Sequence, residues 1–146
     1  MSERTQFCTF TVGGLFFGLE VRAVQEVIRA QQLTRVPLSP PVIQGLINLR
    51  GQIVTAVDLR LRLDLPPRAA GEAPMTIVVQ THEGPVACLV DEIGDVVDVD
   101  EAWFERPPET LQPSLRALIP GAYKLPDRLL LILDTERALS AAAISA

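Results

Sequence analysis

Apolar residues recur in short runs along the whole chain, and the period of the runs changes wherever turn residues fall. From Phe7 to Val12 large apolar residues alternate with cysteine and threonine, Gly13-Gly14 reverses the chain, and Leu15 to Leu19 returns. That is the pattern of a β-hairpin. Val21, Val24, Val27 and Ile28 fit a helical turn passing into a strand. Between Thr34 and Pro41, Pro37, Pro40 and Pro41 exclude helix and central strand alike. Val42 to Leu49 and Gln52 to Val57 flank Arg50-Gly51, a two-residue hairpin turn whose glycine takes the positive φ. Asp58 caps a helical stub over Leu59 to Leu65, which Pro66-Pro67 ends.

Pro66 to Pro74 reads as the one linker. Beyond it Met75–Gln80, Pro85–Val90 and Val96–Val99 are rich in β-branched residues and read as strands, and Glu101 to Pro113 as irregular chain. Leu115–Leu125 and Arg128–Leu133 are expected to form a last hairpin around Pro126-Asp127, after which Asp134 caps a helix through Leu139 and the alanine-rich tail frays. Many short strands with frequent turns predict a mainly β fold with short helices, in barrels or a sandwich.

The pattern also repeats. Gly45–Leu63 and Gly121–Leu139 superpose without gaps at an offset of 76, each running glycine, strand, turn, strand, aspartate cap, helix. Phe17–Ile28 and Val86–Val97 match at an offset of 69, where Val21, Val24, Glu26 and Val27 meet Val90, Ile93, Asp95 and Val96. Two related β modules in one 146-residue domain follow, each too small to bury much core alone. Their approximate spans are 5–66 and 75–140, with strand exchange between them allowed.

Composition removes whole classes of function. The single histidine, His82, lies in a Thr81-His82-Glu83-Gly84 turn, so a two-histidine metal site is impossible. Cys8 and Cys88 sit inside apolar strands, as small buried hydrophobes do. No phosphate loop or dinucleotide fingerprint occurs. Asp91, Glu92, Asp95, Asp98, Asp100 and Glu101 do not fit a calcium loop and read as a solvated acidic face. No catalytic residue, metal or cofactor is therefore expected. The net charge of −5 and an aromatic content of 5 % argue against nucleic acid. No apolar run is long enough to insert in a membrane, and Met1 to Gln6 carries no apolar signal segment, so a reducing cytoplasm is the expected compartment. Charge is uneven: residues 1–68 carry eight bases and five acids, residues 69–146 five bases and thirteen acids. Such polarity suits head-to-tail contacts between proteins.

Against this background the run from Val36 to Arg60, with Gly45-Leu46-Ile47-Asn48-Leu49-Arg50-Gly51 at its centre, resembles the signature of the CheW coupling proteins of bacterial chemotaxis. Phe16-Phe17-Gly18-Leu19 with Val24-Gln25-Glu26-Val27, the segment Leu89 to Val96, and Arg128 to Asp134 extend the resemblance over roughly residues 5–140. Thr55 departs from it, standing where the family commonly has proline. The resemblance implies two packed five-stranded SH3-like β-barrels and a non-catalytic adaptor. It implies a CheA-type histidine kinase (through its regulatory domain) and methyl-accepting chemoreceptors as partners, recruitment to membrane receptor arrays, and ring-forming self-association. It places a receptor-binding surface on Arg50, Glu26, Val24, Gly45 and Val96 and assigns no residue to the kinase. A pilus or biofilm chemosensory pathway, or a small-ligand-binding barrel, is the alternative setting for the same scaffold.

Overall fold

The structure is a computed structural model and describes residues 4–29, 33–69 and 71–140; the alanine-rich tail lies outside them. The first hairpin joins β1 (Arg4–Val12) to β2 (Leu15–Glu20), with Val12 opposite Leu15 across the Gly13-Gly14 turn. A single 3-10 turn, Val21–Ala23, leads into β3 (Val24–Ile28). Then come β4 (Ile43–Leu49), β5 (Gln52–Asp58) and α1 (Leu59–Arg62). After the linker follow β6 (Met75–Thr81), β7 (Gly84–Val90) and β8 (Glu92–Asp100). The chain ends with β9 (Phe104–Glu105), α2 (Pro113–Arg116), β10 (Gly121–Lys124), β11 (Leu129–Ile132) and α3 (Thr135–Leu139). Asp58 and Asp134 both cap as expected, accepting the Arg60 amide at 3.0 Å and the Arg137 amide at 3.1 Å.

Two expected elements differ. Phe104–Glu105, in a stretch expected to be irregular, pairs with β10 as a two-residue edge strand. Leu115 to Ile119 is not the start of a strand. Pro113 sits in the first turn of α2, where its missing N–H costs nothing, and Leu115, Leu118 and Ile119 point one buried face at the core. The strand begins only at Gly121.

The strands form a six-stranded sheet in the order β8-β1-β2-β11-β10-β9 and a five-stranded sheet in the order β3-β6-β7-β5-β4. Neither sheet follows a half of the sequence. The hairpin β1–β2 lies with strands from beyond residue 90, and β6–β7 lies with β3, β4 and β5. Each half sends its first hairpin across: β1–β2 joins β8–β11 of the second half, β6–β7 joins β3–β5 of the first, and the chain changes sheet between β2 and β3 and between β7 and β8.

The exchange is symmetric to the residue. Leu131 lies beside Phe17 in the parallel pair β11–β2, and Thr55 lies beside Val86 in the parallel pair β5–β7. These four positions correspond at the offsets of 76 and 69 read from the sequence. Phe10 opposite Ile93 corresponds in the same way to Val79 opposite Val24, and a β-bulge follows at the same place in both edge pairs.

Three apolar clusters hold this arrangement. The largest lies between the sheets, with Phe10, Phe17 and Leu131 from one, Val57, Ile77 and Val90 from the other, and Leu59, Leu115 and Leu139 from the helices. Phe10 and Phe17 stack in it at 5.6 Å. The outer face of each sheet closes over a smaller cluster: Tyr123 and Leu130 with Phe7 and Val99, and Ile47 and Val54 with Ala56 and Ala87. A buried side chain of this size contributes about 1.5–3 kcal/mol, so the shared cluster makes the two sheets one folding unit.

A compact ion network pins the linker. Asp91 stands where the chain crosses from β7 to β8. Its carboxylate accepts from Arg60 Nε at 2.9 Å and Nη2 at 2.6 Å, from Arg68 Nη2 at 3.1 Å and from the Gly13 amide at 2.8 Å. Arg60 also donates to the Pro66 carbonyl at 3.1 Å, and Arg68 lies 3.6 Å from Asp58. Asp91 is therefore not part of a solvated acidic face, because its side chain is only 17 % exposed. Glu92, Asp95 and Asp98 do face solvent. Asp100 caps a 3-10 turn, and Glu101 accepts from Tyr123 Oη at 2.9 Å and from Thr5 Oγ1 at 2.9 Å.

Candidate functional site

The β4–β5 turn is built around Arg50 and Gly51, and both residues take positive φ, 53° and 87°. That is the pairing of a type I′ turn, whose twist matches the strands it joins. Asn48 supports it by accepting the Gly51 amide on Oδ1 at 2.8 Å. Arg50 thus stands at the tip in a backbone conformation unusual for a residue with a Cβ, its side chain 79 % exposed.

From there the guanidinium reaches Glu26 by two bonds, Nη1 to Oε1 at 3.1 Å and Nη2 to Oε2 at 3.0 Å. Glu26 is on β3, and its side chain is 18 % exposed. Strands β3 and β4 are the two opposite edges of the five-stranded sheet. For their side chains to meet, the sheet has to roll until its edges face each other. The fork geometry of arginine suits a carboxylate bound at two points and fixes the orientation of both groups.

Of the other residues assigned to this surface, Val24 shares β3 with Glu26, is half-buried and packs against the central cluster. Gly45 is buried. A Cβ there would lie 2.7 Å from the Thr34 carbonyl oxygen. Its bare backbone lets residues 33–34 lie along β4, with Thr34 and Leu46 exchanging backbone bonds at 2.9 and 2.8 Å. Val96 stands on β8 in the other sheet and is 54 % exposed. The structure joins Glu26 to Arg50 directly, leaves Val24 half-buried and Gly45 buried, and places Val96 on an edge strand of the other sheet.

Asn48 was not among the residues assigned to the surface, although its position three residues before Gly51 is a sequence sign of an Asx-type turn bond. The Arg60–Asp91–Arg68 network was missed as well, since nothing local links residues so far apart in sequence.

The two cysteines are free thiols; burial pushes Cys88 up to about 12 and raises Cys8. His82 is exposed at a turn, Nδ1 3.6 Å from Glu136. Among the described residues no group of three or more histidine, cysteine or acidic side chains is placed to hold a metal ion, and no helix is long and apolar enough to cross a membrane.

A mainly β protein of two interleaved sheets, with an exposed ion-paired hairpin tip, has the architecture of a scaffold that works through its surfaces. The CheW-like domain family matches residues 6–143, and the chain belongs to that family. It is similar to the chemotaxis protein CheW of Bacillus subtilis (strain 168), 35 % identical over 130 residues, covering 89 % of this chain and 83 % of the relative. The chemotaxis protein CheW of Klebsiella aerogenes is 30 % identical over 135 residues, covering 92 % of this chain and 81 % of that protein. The crystal structure of the scaffolding protein TtCheW from Thermoanaerobacter tengcongensis superposes with a TM-score of 0.84 at 26 % identity, over 100 % of this chain and 98 % of that one. The chain is a non-enzymatic chemotaxis scaffold of this family.

Proposed function

We propose that this scaffold couples the cytoplasmic tips of chemoreceptors to a CheA-type histidine kinase, working in the cytoplasm at membrane receptor arrays. The receptor-binding surface centres on Arg50 and Glu26, with Val96 as an exposed apolar contact and Val24 and Gly45 as its less exposed members. The observation that supports this most is the two-point Arg50–Glu26 pair at 3.1 and 3.0 Å. It holds an exposed cation in a fixed orientation at a hairpin tip, as a recognition surface requires. The uneven charge of the chain suits contacts in which each molecule offers two different faces, the kind that extend or close a ring.

The test is capture of partners by tagged protein from lysate of its own source cells, wild type beside Arg50→Ala. Recovery of a CheA-type kinase with both baits, and of chemoreceptors with wild type alone, is the expected result. Recovery of neither by folded wild-type bait overturns the coupling reading, and receptor recovery undiminished by Arg50→Ala overturns the assigned surface.

A further inference from the structure

The two repeats part company at one corresponding place. At the offset of 69, Glu26 meets Asp95 and Gln25 meets Gly94; at the offset of 76, Arg50 meets Pro126. The second repeat keeps the acid and lacks the guanidinium. Where the first repeat has its ion pair, the second has an open groove of about 210 Å³. Phe16, Ile93 and Val97 give it an apolar lining, and Glu92, Asp95 and Arg128 stand around it. Beneath it Thr9 Oγ1 donates to the Asp95 carbonyl at 2.6 Å, across Gly94, where a Cβ would lie 2.5 Å from that hydroxyl. The glycine thus lets the Thr9 hydroxyl close against the strand and hold its backbone.

Arg128 does not replace the absent arginine. Its guanidinium lies over the Phe16 ring, 3.9 Å from the centroid, and its Nε is 3.7 Å from Asp127. Among the described residues no ion pair engages Asp95.

We propose that this groove docks a partner polypeptide presenting an arginine, whose guanidinium binds Asp95 as Arg50 binds Glu26. An apolar neighbour of that arginine packs on Phe16, Ile93 and Val97. Three features favour this occupant. The first repeat shows which group such a site takes, a guanidinium bound at two points. The acids of the groove, Glu92 and Asp95, outnumber Arg128, which Asp127 already engages. The chain as a whole carries a net charge of −5, which favours a cationic partner over an anionic one. The inference goes beyond the coupling reading and does not use the Arg50–Glu26 pair, although Val96 lies between two residues of the groove's lining.

The experiment is a titration of the isotopically labelled full chain with N-acetyl-arginine amide, read by amide chemical shifts, with the neutral citrulline analogue as control. Saturable shifts at Phe16 and Ile93–Val97, absent with citrulline, are expected. Asp95→Asn removes a solvent-exposed charge and should abolish the response while the rest of the spectrum stays unchanged. Pro126→Arg restores the residue of the first repeat and should silence the titration by filling the groove from within. Shifts that persist in Asp95→Asn, that citrulline reproduces, or that spread evenly over Asp98 and Asp127 overturn the proposal. So does the absence of any shift.

Discussion

Arg50 and Glu26 belong to opposite edges of one five-stranded sheet and are joined there by two hydrogen bonds. The backbone ladder does not run between those edges, so side chains carry the contact. Half of it is wet, because Arg50 is largely exposed while Glu26 is mostly covered. A pair of that kind is worth about 0–1 kcal/mol to the fold. Arg50→Ala and Glu26→Gln should therefore shift the denaturation midpoint only slightly while receptor capture falls. The exchange Glu26→Arg with Arg50→Glu restores a pair in the reverse sense. A fold-only role would let that double variant capture receptors; recognition of the Arg50 cation would not.

The Asp91 network should behave in the opposite way, as a fold contact with a pH signature. Burial alone raises this carboxyl. The Arg60 bond, the Gly13 amide, the Arg60 charge and the Arg68 bond outweigh burial and hold it below its ordinary value of 3.8. A carboxyl depressed in the folded state stabilises the fold above its unfolded value and gives that up as pH falls through the folded one. Stability should decline below about pH 4 in the wild type. Asp91→Asn should cost about 3 kcal/mol at neutral pH, since it leaves Arg60 and Arg68 without their main partner. Urea unfolding at pH 7 and pH 3 checks both statements: the gap between the two proteins should narrow in acid.

Gly45 and Gly121 correspond at the offset of 76, and in each the absent Cβ makes room for chain lying along the sheet edge. Over Gly45 the obstacle is the Thr34 carbonyl at 2.7 Å; over Gly121 it is the Phe104 ring. The Thr34 carbonyl accepts from the Leu46 amide while the Thr34 amide donates back to Leu46, so it cannot turn aside, whereas half-exposed Phe104 can swing into solvent. Gly45→Ala should cost about 1–3 kcal/mol, and Gly121→Ala less. Thermal midpoints of the two variants give the order.

Cys88 is fully buried, and its thiol is pushed up to about 12 by that burial. The thiolate is the reactive form, so native protein at pH 8 should leave Cys88 unlabelled by a thiol reagent. Cys8, half-buried on β1, should react slowly, and both should react at once in denaturant. Fast labelling of Cys88 in native protein would show that the central cluster opens.

What the sequence made legible was local. Turns at Gly13-Gly14 and Arg50-Gly51, aspartate caps at positions 58 and 134, and the two offsets are all written in adjacent residues. The helix at Leu115 was also written there, in the spacing of Leu115, Leu118 and Ile119 behind Pro113, but apolar density alone made it look like strand. Which strands are exchanged, the hairpins β1–β2 and β6–β7, was not legible, because a hairpin has the same alternation whichever sheet it joins. The Glu26–Arg50 pair came from the family resemblance, and only the rolled sheet explains how residues on opposite edges touch.

Because each repeat lends its first hairpin to the other's sheet, the molecule has the topology of two entwined subunits tied by one tether at residues 66–74. A protease nick in that tether would leave both pieces captive, and a nicked sample should still elute as one particle. Deleting either piece, by contrast, strips the survivor of strands from both sheets at once. A gene built this way can be copied or fused whole, but it cannot be shortened by a single repeat.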